Sequence, residues 1–161
     1  MLIQRNVHRS VYLSLAAAVA LAASTPAHAD DRDVLRDRIA SLASDAKVDG
    51  APIAAVRGIT KLYEGRAWAP AWTDRAMVRQ LHDDVRRSVE HGLNPDDFHL
   101  RQLDARLQPG DRAADPEFRA ETEILCTDAL LRLAVTLKFG KIDPASLDPA
   151  WNFSRRIEGQ D

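Results

Sequence analysis

Apolar residues recur at three- and four-residue spacing along most of the chain, and no stretch alternates long enough to suggest a strand. The first helix is predicted from Asp31 to Ala46, with Leu35, Ile39, Leu42 and Ala46 on one face; Asp49-Gly50-Ala51-Pro52 breaks it. A second runs from about Pro52 to Arg66, with Ile53, Val56, Thr60 and Tyr63 on one side. Gly58 weakens its middle by about 1 kcal/mol relative to alanine. Trp68-Ala69-Pro70-Ala71-Trp72 follows as a short extended connector, because Pro70 drives Ala69 out of helical geometry. Thr73 or Asp74 then caps a third helix that reaches His91, with Met77, Leu81, Val85 and Val89 expected to face inward.

The next corner is the best specified. Gly92 can take the left-handed conformation without steric cost, and Leu93 can pack back on the last turn. Asn94 then stands as an N-cap, Pro95 at the first helical position, and Asp97 in the first turn near the positive helix end. The helix so started is short, about Pro95 to Leu107. After a Pro109-Gly110-Asp111 loop, Asp115-Pro116 starts the fifth and longest helix, which ends at Phe139 before Gly140. From Ile124 onward it is apolar on most sides (Leu125, Leu130, Leu131, Leu133, Val135, Leu137), which predicts a position central to the core. Glu121, Asp128, Arg132 and Thr136 leave it a narrow polar stripe, in which Asp128 and Arg132 are spaced to pair. Asp143-Pro144 and Asp148-Pro149 each suit a single turn. The expected fold is all-α: one multi-helix domain over residues 30–161, with about five helices plus short C-terminal turns.

The first 29 residues read differently. Arg5, His8 and Arg9 make a basic start, Val11 to Ala23 is apolar apart from Ser14, and Ala27-His28-Ala29 fits a small-x-small cleavage site. A bilayer-spanning helix needs about 20 apolar residues, so this is expected to be a secretory signal peptide cut after Ala29, leaving no membrane span and a periplasmic product. The chain carries 22 basic and 24 acidic residues, and losing the leader's two arginines makes it more acidic still. That balance argues against nucleic acid as a partner.

The densest polar cluster is Asp96, Asp97 and His99, which favours first-turn acids at a capped helix start over a general acid–base pair or a metal site. No helical His pair or Cys/His spacing suggests a metal, and no phosphate loop or dinucleotide fingerprint suggests a cofactor, so none is expected. The single cysteine, Cys126, excludes an internal disulfide, and its leucine neighbours mark it as a small buried hydrophobe rather than a nucleophile with His82, His91 or His99. Trp68, Trp72 and Trp151 remain as candidates for partner contact or sugar stacking. The first two flank a proline, where large rings lock a turn against a helix, and that packing role is the expected one.

Several of these segments carry a resemblance. Leu62-Tyr63, then Trp68-x-Pro70-x-Trp72-Thr73-Asp74, resembles a Phe-Tyr…Pro-x-Trp-Thr segment of large periplasmic L,D-transpeptidases. His91 to His99 (HGLNPDDFH) is similar to their His-Gly-Leu-x-Pro-x-x-Tyr-His run. Thr127-Asp128-Ala129-Leu130-Leu131 and Phe139-Gly140-Lys141-Ile142-Asp143-Pro144 resemble the helix and Gly-Arg/Lys-x-x-Pro turn that follow in the same order. One departure is Ala67, where the family usually has glycine.

The resemblance implies the helical scaffold domain of enzymes that cross-link peptidoglycan. Their nucleophile lies in a Ser-His-Gly-Cys type motif of a separate catalytic domain, and Cys126, in Leu-Cys-Thr-Asp, does not match it. The chain is therefore not expected to be an enzyme on its own. It is expected to be a truncated or split transpeptidase whose helical part packs against a catalytic domain or another cell-wall enzyme. The alternative is a free-standing periplasmic adaptor that binds peptidoglycan or a wall enzyme in trans.

Overall fold

A computed structural model of the chain describes residues 26–140, with side chains described from residue 31 onward. Helix α1 (Pro26–Ser41) begins inside the predicted leader, so a cut after Ala29 would shorten its first turn. It stops at Ser41 rather than Ala46, since the Ser41 and Ser44 hydroxyls bond to the carbonyls of Arg38 (2.7 Å) and Ser41 (2.9 Å) and draw the chain into tight turns. Leu35, Ile39 and Leu42 are buried as expected.

Where no strand was expected, a minimal antiparallel ribbon forms. β1 (Lys47–Val48) pairs with β2 (Ala51–Pro52), Lys47 opposite Pro52 and Val48 opposite Ala51. Asp49 (φ 47°) and Gly50 (φ 73°) form the turn, both left-handed, as an Asp-Gly hairpin requires. Two residues per strand are too few to show alternation in a sequence. Helix α2 (Val56–Gly65) consequently starts four residues later than Pro52. It buries Ile59 and Tyr63, while Val56 and Thr60 are half-buried. A Cβ on Gly58 would lie 3.1 Å from Leu131 Cδ1, so glycine lets this helix approach the long C-terminal one.

Helix α3 (Arg75–Arg87) is capped by Asp74, whose Oδ1 accepts from the Ala76 N–H at 2.7 Å. Its buried face is Val78, Leu81, His82 and Val85. Met77 (48 % exposed) and Val89 (57 %) lie outside, which corrects the expected inward set. A strict spacing of four drifts around a helix of 3.6 residues per turn, and the last turn, Ser88–His91, tightens to 3-10.

The corner at Gly92 (φ 70°) is the one expected. Leu93 N–H donates to Ser88 O (3.2 Å) and Gly92 N–H to Val89 O (3.0 Å), the two bonds of a Schellman ending. Asn94 caps with its side chain accepting from the Asp96 N–H at 3.2 Å, and Pro95 follows at the first helical position. The helix beyond is not continuous. Pro95–Phe98 is a 3-10 turn, His99 is left-handed (φ 65°), and α4 (Leu100–Leu107) begins after it. The Pro109 loop carries a third 3-10 stretch, Gly110–Ala114.

Helix α5 (Pro116–Phe139) has the predicted bounds, with Asp115 Oδ1 accepting from the Glu117 N–H at 3.0 Å and Gly140 (φ 80°) after its end. It divides two apolar clusters. On one side α1, the ribbon and α2 gather Leu35, Ile39, Val48, Ile53, Ile59 and Tyr63 against Ile124 and Leu125. On the other, α3, the 3-10 turn and α4 bring Val85, Phe98 and Leu103 against Cys126, Ala129 and Leu133. The fold is thus mostly helical with α5 central. Its C-terminal half departs from expectation, however: Leu130, Val135 and Leu137 are 45–50 % exposed. Among the described residues no helix is long and apolar enough to cross a membrane. The expected leader up to residue 25, both tail Asp-Pro starts and Trp151 lie outside the described residues.

Ala67 occupies a left-handed conformation (φ 49°), followed by Trp68 (φ 62°), so the connector is a sharp turn before it is extended. A left-handed residue with a Cβ costs roughly 1–2 kcal/mol. Ala67→Gly should therefore raise the unfolding free energy by about 0.5–1 kcal/mol after the added unfolded-state entropy is deducted. Urea denaturation measures it, and an unchanged or lowered midpoint would contradict a strained Ala67.

Candidate functional site

Helix α5 carries carboxylates into the core because loops need them. Glu123 is 4 % exposed, and its Oε2 accepts from the Tyr63 hydroxyl (2.6 Å) and the Ala71 N–H (2.7 Å). Its Oε1 accepts from the Trp72 N–H at 2.9 Å. One side chain thereby satisfies the backbone of the connector that Pro70 keeps from forming regular structure. One helical turn on, Thr127 Oγ1 accepts from Trp72 Nε1 and lies against Tyr63 Oη, both at 3.0 Å. Indole only donates, so a single assignment satisfies every group: Trp72 donates to Thr127, Thr127 to Tyr63, and Tyr63 to Glu123.

Asp128 does the same for another junction. It is fully buried, and its Oδ1 accepts from the N–H groups of Ala54 (3.0 Å) and Ala55 (2.6 Å), just before α2. Its Oδ2 accepts from His99 Nε2 at 2.7 Å, with Arg132 Nη1 at 3.6 Å. The expected Asp128–Arg132 pairing is present, but the stripe is no solvated face, since its centre holds the core together.

Electrostatics follow burial. Desolvation pushes the Glu123 carboxyl above its ordinary value despite its three donors. Desolvation, then the Glu123 charge, raises the Tyr63 hydroxyl. Burial raises the Cys126 thiol, with Glu123 adding to it; the sulfur is fully buried and is in no state to act as a thiolate.

The most distinct concavity lies beside Glu123. It measures about 260 Å³ and is walled by Leu35, Trp72, Val78, Leu107 and Phe118, with Arg75, Arg106 and Arg119 also on its lining. The Arg106 side chain is wholly buried. Its Nη2 reaches Asp49 Oδ2 (2.5 Å) and Glu121 Oε2 (3.4 Å), and its guanidinium lies 4.1 Å over the Phe118 ring. Arg112 covers the same ring at 4.3 Å.

The residues singled out by sequence separate. Asp96 is exposed, Asp97 half-buried, and His99 turned into the core toward Asp128, so the three do not form one acid–base site. His82 is likewise held, with Nε2 at 2.7 Å from Asp104 Oδ1. Trp68 packs against the α1–α2 cluster and Trp72 against the α3–α4 cluster. Trp72 also lines the pocket, so one ring both packs against the core and walls the cavity. Among the described residues no group of three or more His, Cys, Asp or Glu is placed to hold a metal ion. Sequence reasoning missed Glu123, Thr127 and Arg106. The signal existed for Arg106, which follows Leu100 and Leu103 at three-residue spacing and so occupies a core position of α4.

A family model described as Scaffold domain matches residues 57–158. No curated protein and no solved structure gives a match.

Two outcomes test the carboxylate anchors. Glu123→Gln turns a donor toward groups that themselves donate, and should cost about 2–3 kcal/mol of stability in urea denaturation. The pH dependence has a definite sign. A folded pKa above the ordinary 4.5 means that the native state holds the extra proton. Stability contributed by Glu123 is then greatest below about pH 4.5 and declines as pH rises toward the elevated value. The stability difference between wild type and Glu123→Gln should shrink over that window, and a constant difference would contradict the raised pKa.

Proposed function

The chain belongs to the Scaffold domain family, and we propose that it serves as the non-catalytic helical support of a peptidoglycan L,D-transpeptidase, exported to the periplasm. Its partner is the catalytic domain that carries the reactive thiol. Three things support this reading. The motif order from Leu62 to Pro144 resembles those enzymes, the family match spans most of the same stretch, and Cys126 is locked in the core.

The observation that carries it is the C-terminal half of α5. Leu130, Leu133, Ala134 and Leu137 line a groove with Ser88 and His91, and Leu130 and Leu137 are half-exposed. A helix that is central at Leu125 and open at Leu137 has an apolar face suited to another domain. The groove's rim, Asp84, Arg87 and Glu90, is charged, as interface rims are. An adaptor acting in trans would use the same face.

Leu130→Asp with Leu137→Asp alters half-exposed positions, so stability should change by little more than about 0.5 kcal/mol per site. Mixed with a separately produced L,D-transpeptidase catalytic domain, the wild-type chain should form a heterodimer by light scattering, and the double variant should not. A wild-type chain that stays monomeric in the mixture would overturn the support role. Sedimentation with purified sacculi in its place would favour the adaptor.

A further inference from the structure

We propose that the pocket between α1, the Trp72 connector, α4 and the start of α5 binds the carboxylate of a small apolar peptide end, through the guanidinium groups of Arg106 and Arg119. This is independent of the partner face on α5, which lies elsewhere on that helix.

Unused donors are the first ground. Arg106 Nε and Nη1, and Arg119 Nε, are buried and have no hydrogen-bond partner. Two acids do approach Arg106, but both meet Nη2, so Nε and Nη1 are left without an acceptor. Arg119 is similar: Nη1 donates to Ala113 O at 3.0 Å and Nη2 to Asp31, leaving Nε. Buried polar groups are nearly always satisfied, and an orphaned donor costs about 1–3 kcal/mol, more when charged. Three such donors on two residues that line one cavity are a standing cost that carboxylate oxygens of a ligand would reduce.

The shape of the cavity gives the rest of the ligand. Its walls are mainly apolar, with Leu35, Val78 and Leu107 near the Trp72 ring. At about 260 Å³ it falls just under the roughly 300–1,000 Å³ of sites that take drug-sized molecules. A chain end of one or two small residues suits it better than a ring-bearing ligand. Glu123 is already saturated by Tyr63, Ala71 and Trp72, and Asp31, which also lines the cavity, meets only Nη2 of Arg119, so neither occupies the orphaned nitrogens. The Arg119 side chain is 39 % exposed and that of Arg106 is wholly buried, so Arg119 is the arginine of the pair that solvent reaches.

Calorimetric titration of the whole chain with N-acetyl-Ala-Ala tests this, with N-acetyl-Ala-Ala-amide as the uncharged control. Saturable binding of the acid is expected, with the amide at least tenfold weaker. Arg119→Gln, at a partly exposed position, should keep the fold and weaken the acid at least tenfold while leaving the amide unchanged. Arg106→Gln should do the same wherever circular dichroism shows it folded. Equal binding of acid and amide, an Arg119→Gln variant that binds as wild type does, or no saturable heat from the folded chain would each overturn the proposal.

Discussion

Dry carboxylates on one helix, bonded to the backbone of other segments, are the constraint on which this structure depends. Glu123 closes the Ala71–Trp72 connector and Asp128 closes the Ala54–Ala55 junction. Neither segment has a regular partner for its N–H groups, and each runs against the core, where water cannot serve. An ionised or strongly polar acceptor from α5 is the local remedy. Remove it, and the cost is borne by the loop rather than by the helix. The arrangement therefore fixes the angle at which α2 leaves the ribbon and the point at which α3 begins.

That dependence explains why strain is tolerated at Ala67 and Trp68. Two successive left-handed residues compress the turn after α2. The compression sets the next N–H groups on Glu123 and the Trp72 indole on Thr127. Backbone strain of this kind survives only where surrounding bonds over-determine the geometry. The Glu123–Tyr63–Thr127–Trp72 chain does so with each hydrogen used once. Burial raises the pKa of Glu123 and of Tyr63 together, because the site is closed to solvent.

Sequence legibility divides along local and tertiary lines. The Gly92–Asn94–Pro95 corner and the Asp115–Gly140 bounds of α5 were readable because caps depend on a few neighbouring residues with fixed backbone needs. The ribbon at Asp49-Gly50 is hidden by its length, since two residues per strand show no alternation and its turn residues read only as a helix break. Met77 and Val89 were misplaced because a spacing of four ignores the drift of a real helix. Asp128 is the most instructive case. Its spacing to Arg132 makes the pair legible in the sequence, and the fold adds that its other oxygen serves Ala54 and Ala55 from the core. His99, left-handed in backbone, likewise bonds to Asp128 in the core, a contact that no local spacing reveals.

Among the described residues, the buried carboxylates and imidazoles are largely committed to the domain's own segments. Cys126 is sealed, His82 and His99 are paired with aspartates, and Glu123 has no spare lone-pair direction facing a free donor. Among the described residues two uncommitted features stand out. One is apolar area on the far half of α5, where burial would be gained by covering Leu130 and Leu137. The other is a set of guanidinium donors beside the Trp72 pocket, which an acceptor would complete. The first asks for a surface and the second for a small anionic end. A support that holds a partner on one side and takes a short chain terminus on the other would use both without needing any group its own fold already requires.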